Sequence, residues 1–123
     1  MTDHLYIADS ERHGRGVFAR RWFSAGEVLE SCPVLVVSGE EWDTLAQTSI
    51  GCHVFEWEEG VALALGHTSL LNHSTEPNAA YEMDYDGLQV AVRALRDIAP
   101  GEEITINYGG SPDAEVELWF DAV

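Results

Sequence analysis

Three short stretches concentrate the side chains able to do chemistry. Residues 70–78, LLNHSTEPN, set an Asn, a His, a Ser, a Thr, a Glu and a second Asn around one proline, directly after two leucines. So many hydrogen-bonding groups beside an apolar run suit either a solvated turn or a binding site. Residues 13–19, HGRGVFA, place Gly14 and Gly16 on either side of Arg15; taken alone, a G-x-G before a strand is a tight turn. Residues 101–109, GEEITINYG, follow a Pro-Gly turn and carry Tyr108, which alone reads as a half-buried strand aromatic.

Together, and in this order, the stretches resemble the SET-domain protein lysine methyltransferases. HGRGVFA is similar to that family's N-terminal G-x-G segment. NHSTEPN is similar to its N-H-S-C-x-P-N segment, with Thr75 in place of Cys, and GEEITINYG to its G-E-E-(L/I)-T-x-(D/N)-Y segment. The resemblance covers residues 5–109 at the spacing of the smallest single-domain members. It implies a mostly β, β-clip-like SET fold of several small curved sheets with few short helices. The second and third segments would meet, and the C-terminal part would thread beneath a preceding loop as a pseudoknot.

The resemblance further implies S-adenosyl-L-methionine as methyl donor and a lysine ε-amine of a basic protein tail (histone, histone-like or ribosomal) as acceptor. Gly14 and Gly16 would let backbone groups approach the methionine part and ribose, and Arg15 would face the carboxylate. Asn72 would contribute side-chain hydrogen bonds and His73 its backbone to the adenine. Tyr108 would be the catalytic residue, its hydroxyl orienting amine and methyl group and its ring forming part of the channel wall. The substrate channel would run past Tyr108, His53, Phe55, Leu65, Gly66 and His67, with closure by Trp119 or Phe120. Taken singly, His67, Trp119 and Phe120 read as packing residues. Backbone carbonyls of residues 65–68 would receive weak CH···O contacts from the methyl group.

A lysine amine must be neutral to attack, although its free pKa is about 10.4. An apolar channel beside a sulfonium lowers that value through desolvation and like charge, so no strong side-chain base is required. Larger relatives close the channel with zinc-binding cysteines after the tyrosine. No cysteine follows Tyr108 here, and no metal is expected.

Short apolar runs between turn signals must position these groups: residues 5–7, 17–19, 28–29, 34–37, 53–57, 61–65, 79–83, 88–94 and 103–106 read as strands. Asp86-Gly87 predicts a tight hairpin between two of them, with Leu88, Val90 and Val92 sharing a face. SAGE at 24–27 and APGE at 99–102 are turns of related design. Ser38 and Glu41 form a capping box opening a short helix through about Gln47, and Ser111-Pro112 starts a terminal turn through Phe120. No internal repeat, linker or interior boundary is visible.

At 123 residues the chain is sized for one domain, 1–123, with 110–123 as a closing segment. Twenty-two acidic against six basic residues, a formal net charge of −16, exclude nucleic acid as the direct partner and favour a basic one. No membrane span or signal peptide is legible, so a cytoplasmic location is expected, nuclear if the source is eukaryotic or viral. Cys32 and Cys52 lack CxxC spacing and read as free buried thiols. Leftover apolar surface suggests a homodimer. Two other functions compete: a catalytically inactive SET-fold module binding a basic peptide or the cofactor, and an acidic structural partner of a basic protein.

Overall fold

The computed structural model describes residues 4–12 and 14–108. The expectations for Trp119, Phe120, the terminal turn and the threaded end of the pseudoknot lie outside the described residues.

Alternating apolar residues give strands with one buried face. In chain order these are β1 (Leu5–Asp9), β2 (Arg15–Ala19), β3 (Val28–Val37), β4 (Val54–Trp57), β5 (Gly60–Ala64), β6 (Asn72–His73), β7 (Ala79–Asp84), β8 (Gln89–Ala94) and β9 (Glu103–Ile106). They form a four-stranded sheet, β1-β2-β9-β6, and a five-stranded sheet, β4-β5-β3-β8-β7. The mostly β architecture of small curled sheets is the expected one. Helix α1 (Gly39–Leu45) starts as predicted: the Ser38 hydroxyl accepts from the Glu41 amide and the Glu41 carboxylate accepts from the Ser38 amide.

Two local readings need correction. Runs 28–29 and 34–37 are one ten-residue strand, β3, which pairs with β8 up to Pro33 and with β5 from Val34. Pro33, which has no amide to donate, stands where the strand changes partners. The β7–β8 hairpin is real, but its last pair is Asp84↔Gln89, and the positive φ falls on Leu88 (52°) instead of on Gly87. Asp84 closes that four-residue turn by accepting from the Gly87 amide at 2.9 Å. Leu88 therefore leaves the face of Val90 and Val92; it is exposed while they are buried.

A short internal repeat is also present, contrary to the sequence reading. ARRWFSAGE (19–27) and ALRDIAPGE (94–102) share Ala, Arg, Gly and Glu at matching positions. Gly26 and Gly101 both have φ of 86°, and each following Glu amide closes its turn, at 3.0 Å to Ser24 O and 3.1 Å to Ala99 O. Arg21 pairs with Glu27 as Arg96 pairs with Glu102. Each turn docks on the other copy: Gly26 N–H donates to Ala94 O and Gly101 N–H to Ala19 O, both at 2.8 Å, around the Phe23↔Ile98 bridge. The first copy leads from β2 to β3 and the second from β8 to β9. The repeat thus clamps together two of the four crossings between the sheets, β2 to β3 and β8 to β9, and fixes where β9 enters.

Beneath it lies the core, with Val17, Phe23, Val92, Ile98, Ile104 and Ile106 fully or almost fully buried. Each such side chain stabilises by about 1.5–3 kcal/mol. Phe55, Leu70, Tyr81 and Tyr108 pack against this core from its edge.

Candidate active site

The opening ambiguity of NHSTEPN resolves along its length. Asn72, His73, Ser74 and Asn78 are buried, while Thr75 and Glu76 are exposed. Its start is β6, held parallel to β9 with Asn72↔Thr105 and His73↔Ile106 in register. Its end is held by the Asn78 side chain, whose Oδ1 accepts from Thr105 N–H at 2.8 Å and whose Nδ2 donates to Glu103 O at 2.7 Å and Glu102 Oε2 at 3.0 Å. A loop of polar residues is thereby laced to the strand that delivers Tyr108.

Tyr108 is half-buried two residues beyond the end of β9. Its hydroxyl donates to the Leu71 carbonyl at 2.7 Å, immediately before Asn72, and its amide donates to His73 Nδ1 at 3.0 Å. The His73 ring lies against the Tyr108 ring, centroids 5.1 Å apart. An Nδ1 that accepts must be unprotonated. Burial, and secondarily the charge of Arg12, hold this imidazole below its usual range, in agreement with that role. The His73 side chain thus props the tyrosine, a task beyond the backbone contact expected of it.

Asn72 Nδ2 donates to Arg15 O at 3.2 Å and to Glu103 Oε2 at 2.9 Å, which draws the G-x-G segment to β6. The two glycines act differently. Gly14 has φ of 57°, and a Cβ there would meet only open space, so backbone conformation is what it supplies. A Cβ on Gly16 would stand 2.3 Å from Glu103 Oε2 and 2.9 Å from Asn72 Nδ2, so its absence makes room for that pair. Arg15 and Gly14 are exposed. Glu103 also lines an open, largely acidic cleft of about 650 Å³ with Glu11, Glu76, Asn78, Glu102 and Thr105; Asn72, Arg15 and Tyr108 are not part of its lining.

The expected channel residues divide into groups. Phe55 packs on Tyr81, centroids 4.8 Å apart, and both lie on the core edge that Tyr108 shares. His53 Nδ1 bonds the Ser69 carbonyl at 2.9 Å. Leu65 is exposed, and its amide donates to Pro33 O. Gly66 and His67 gather instead around Glu30 of β3: His67 Nδ1 is 2.7 Å from Glu30 Oε2, and a Cβ on Gly66 would stand 2.7 Å from Oε1. The carbonyl that accepts from the phenol is that of Leu71. Cys32 is a buried free thiol.

Glu30 is 5% exposed and also accepts from the Thr68 amide at 3.0 Å and hydroxyl at 2.8 Å. Burial would push its carboxyl up, but the hydrogen bonds from His67 and Thr68 outweigh burial and hold it below its ordinary 4.5. A depressed carboxyl stabilises the fold above its unfolded pKa, and that support fades as pH falls through the folded value. Glu30→Gln is therefore expected to cost about 2 kcal/mol at neutral pH. Melting curves should show the deficit shrinking below pH 4.5. A deficit independent of pH would show that the charge is not what matters.

Sequence reasoning passes over Glu103, Asn78, Glu30 and the Leu71 carbonyl. The alternation of β9 does place Glu103 and Thr105 opposite Ile104 and Ile106, so a buried polar face could have been sought there.

The family model for the SET domain matches residues 14–109. A Schizosaccharomyces pombe histone-lysine N-methyltransferase, H3 lysine-37 specific, is 38% identical over 95% of this chain and 77% of its own length. Human histone-lysine N-methyltransferase 2B is 32% identical over 78% of this chain, which spans only 4% of that protein. The crystal structure of a Plasmodium falciparum protein assigned as a histone methyltransferase superposes with a TM-score of 0.74 at 30% identity, covering 90% of this chain and 97% of the other.

Proposed function

The chain belongs to the SET domain family, and from that premise we propose that it is a protein-lysine N-methyltransferase using S-adenosyl-L-methionine on a basic protein tail. The observation that carries the reading is the placement of Tyr108, half-buried with its hydroxyl against the Leu71 carbonyl, one residue from the Asn72 that joins β6 to the G-x-G segment. The described residues suit the donor. Its zwitterionic end needs an acceptor and a cation, which the Asn72 amide and the exposed Arg15 side chain would supply; the two residues are joined by the bond from Asn72 Nδ2 to the Arg15 backbone carbonyl. When bound, S-adenosylmethionine supplies an electrophilic methyl group on a sulfonium.

The chain's own part in the mechanism is positioning and exclusion of water. Tyr108, pinned through amide and hydroxyl, presents a phenol whose orientation is fixed before any ligand arrives. Phe55, Leu70 and Tyr81 pack against the same core as Tyr108 and would supply an apolar wall, where a lysine ammonium would lose hydration and give up its proton more easily. We place Gly14, Arg15, Gly16, Asn72 and His73 in the cofactor pocket, with residues 1–123 acting as one domain.

The charge of −16 would speed encounter with a cationic tail, and the names of the relatives favour a histone over a ribosomal protein. A histone substrate implies a nuclear or chromatin-bearing location. Among the described residues no helix is long and apolar enough to cross a membrane. Exposed Leu35, Val36 and Leu65 leave apolar surface that pairing of two copies would cover.

The test is incubation with methyl-labelled S-adenosylmethionine and, in parallel, core histones and ribosomal proteins, followed by mapping of labelled residues. Label on histone lysines is expected. Cofactor binding without transfer to any basic protein would indicate the inactive module instead.

A further inference from the structure

A 3₁₀ turn, His67–Leu70, ends where Leu71 begins, and the Leu71 carbonyl accepts the Tyr108 hydroxyl at 2.7 Å. The place of that carbonyl depends on how the turn is held. The Leu71 amide donates back to Thr68 O at 3.4 Å, so Leu71 moves with Thr68. Thr68 is only 2% exposed, and its amide and hydroxyl both donate to one oxygen of Glu30, Oε1, at 3.0 and 2.8 Å. The other oxygen, Oε2, takes His67 through Nδ1 at 2.7 Å. A further tie comes from His53 Nδ1 to Ser69 O.

Gly66 leaves room for this. Its backbone is extended, a conformation open to any residue, so what the glycine supplies is space: a Cβ there would stand 2.7 Å from Glu30 Oε1 and 3.2 Å from Cys32 Cβ. Burying a carboxylate costs desolvation that apolar packing would avoid. What it adds here is direction, because three donors on two consecutive residues fix the turn in rotation as well as in place. We infer that Glu30 is a positioning residue for the tyrosine: through Thr68 it sets where the Leu71 carbonyl stands and so how the Tyr108 hydroxyl is aimed. This rests on the methyl-transfer reading above and adds to it a residue of β3 that acts only through the turn. Oε1 alone meets both Thr68 donors, so the positioning depends on an acceptor at that point and the charge serves stability.

The test compares Glu30→Gln, Glu30→Leu and Gly66→Ala with the unaltered protein, each at a temperature where circular dichroism shows it folded. One readout is methyl transfer to core histones, resolved into kcat and KM. The other is the Tyr108 phenol resonance in protein carrying carbon-13 tyrosine, assigned with Tyr108→Phe. Glu30→Gln still offers an oxygen to Thr68, and His67 Nδ1 in its other tautomer accepts from the new NH2. It should keep kcat and the resonance near the unaltered values although it melts lower. Glu30→Leu removes the acceptor and Gly66→Ala crowds it, so both should lower kcat about tenfold or more, leave KM for S-adenosylmethionine unchanged and move the resonance. Gly66→Ala serves alone if the leucine variant does not fold. Folded variants that keep both kcat and the resonance overturn the inference and leave Glu30 a role in stability only. So does a glutamine variant as impaired as the leucine one, which would assign the effect to charge. No transfer by the unaltered protein overturns the methyl-transfer reading instead, and the resonance then decides the inference.

Discussion

Tyr108→Phe is expected to cut methyl transfer by on the order of a hundredfold or more while leaving cofactor binding within a few fold. The phenyl ring keeps its place against the core edge and against His73, and the backbone amide keeps its bond to His73 Nδ1. What disappears is the hydroxyl at the Leu71 carbonyl. That hydrogen bond contributes about 1 kcal/mol to stability, too little to unfold the chain. Single-turnover assays beside calorimetry separate the two effects. A folded variant with near-normal transfer would remove Tyr108 from the catalytic role.

The second large effect is on stability and comes from an isosteric change. Asn78→Asp keeps the oxygen that accepts from Thr105 N–H but replaces the NH2 that faces Glu103 O at 2.7 Å and Glu102 Oε2 at 3.0 Å. Acceptor then meets acceptor twice, at a residue only 2% exposed, and one of the opposing groups is a carboxylate. A loss of about 3 kcal/mol or more follows, with Tm lower by on the order of 10 °C. Because Asn78 laces the end of NHSTEPN to β9, cofactor affinity should fall with it. Unchanged melting would mean that β6 and β9 are held together by backbone pairing alone.

The sequence shows what local chemistry determines. Ser38 and Glu41 announce a capping box because both partners lie within one turn of chain, and SAGE and APGE announce related turns because the glycine is needed at positive φ. The three motifs, being contiguous, are readable as well, and with them the family. Less visible is whatever depends on residues far apart in the chain. That Gly16 makes room for Glu103, that Glu103 holds Asn72, and that Asn78 stitches one segment to another follow only once β2, β6 and β9 are side by side. The repeated 19–27 and 94–102 segments escape a reading of the sequence because their few shared residues are faint by eye; their meaning lies in each turn docking on the other. Asp86-Gly87 misleads on turn type because the strand register ends at Asp84↔Gln89 and shifts the strained position to Leu88.

The central claim is that segments distant in sequence form one pocket around a tyrosine. A crystal structure with S-adenosylhomocysteine and a lysine-bearing histone peptide tests it most directly. The sulfur should face the Tyr108 hydroxyl across from the lysine amine, with the amino-acid end between Asn72 Oδ1 and Arg15. A cofactor seated away from Asn72 and the G-x-G segment, or a lysine entering on a face without Tyr108, would contradict it.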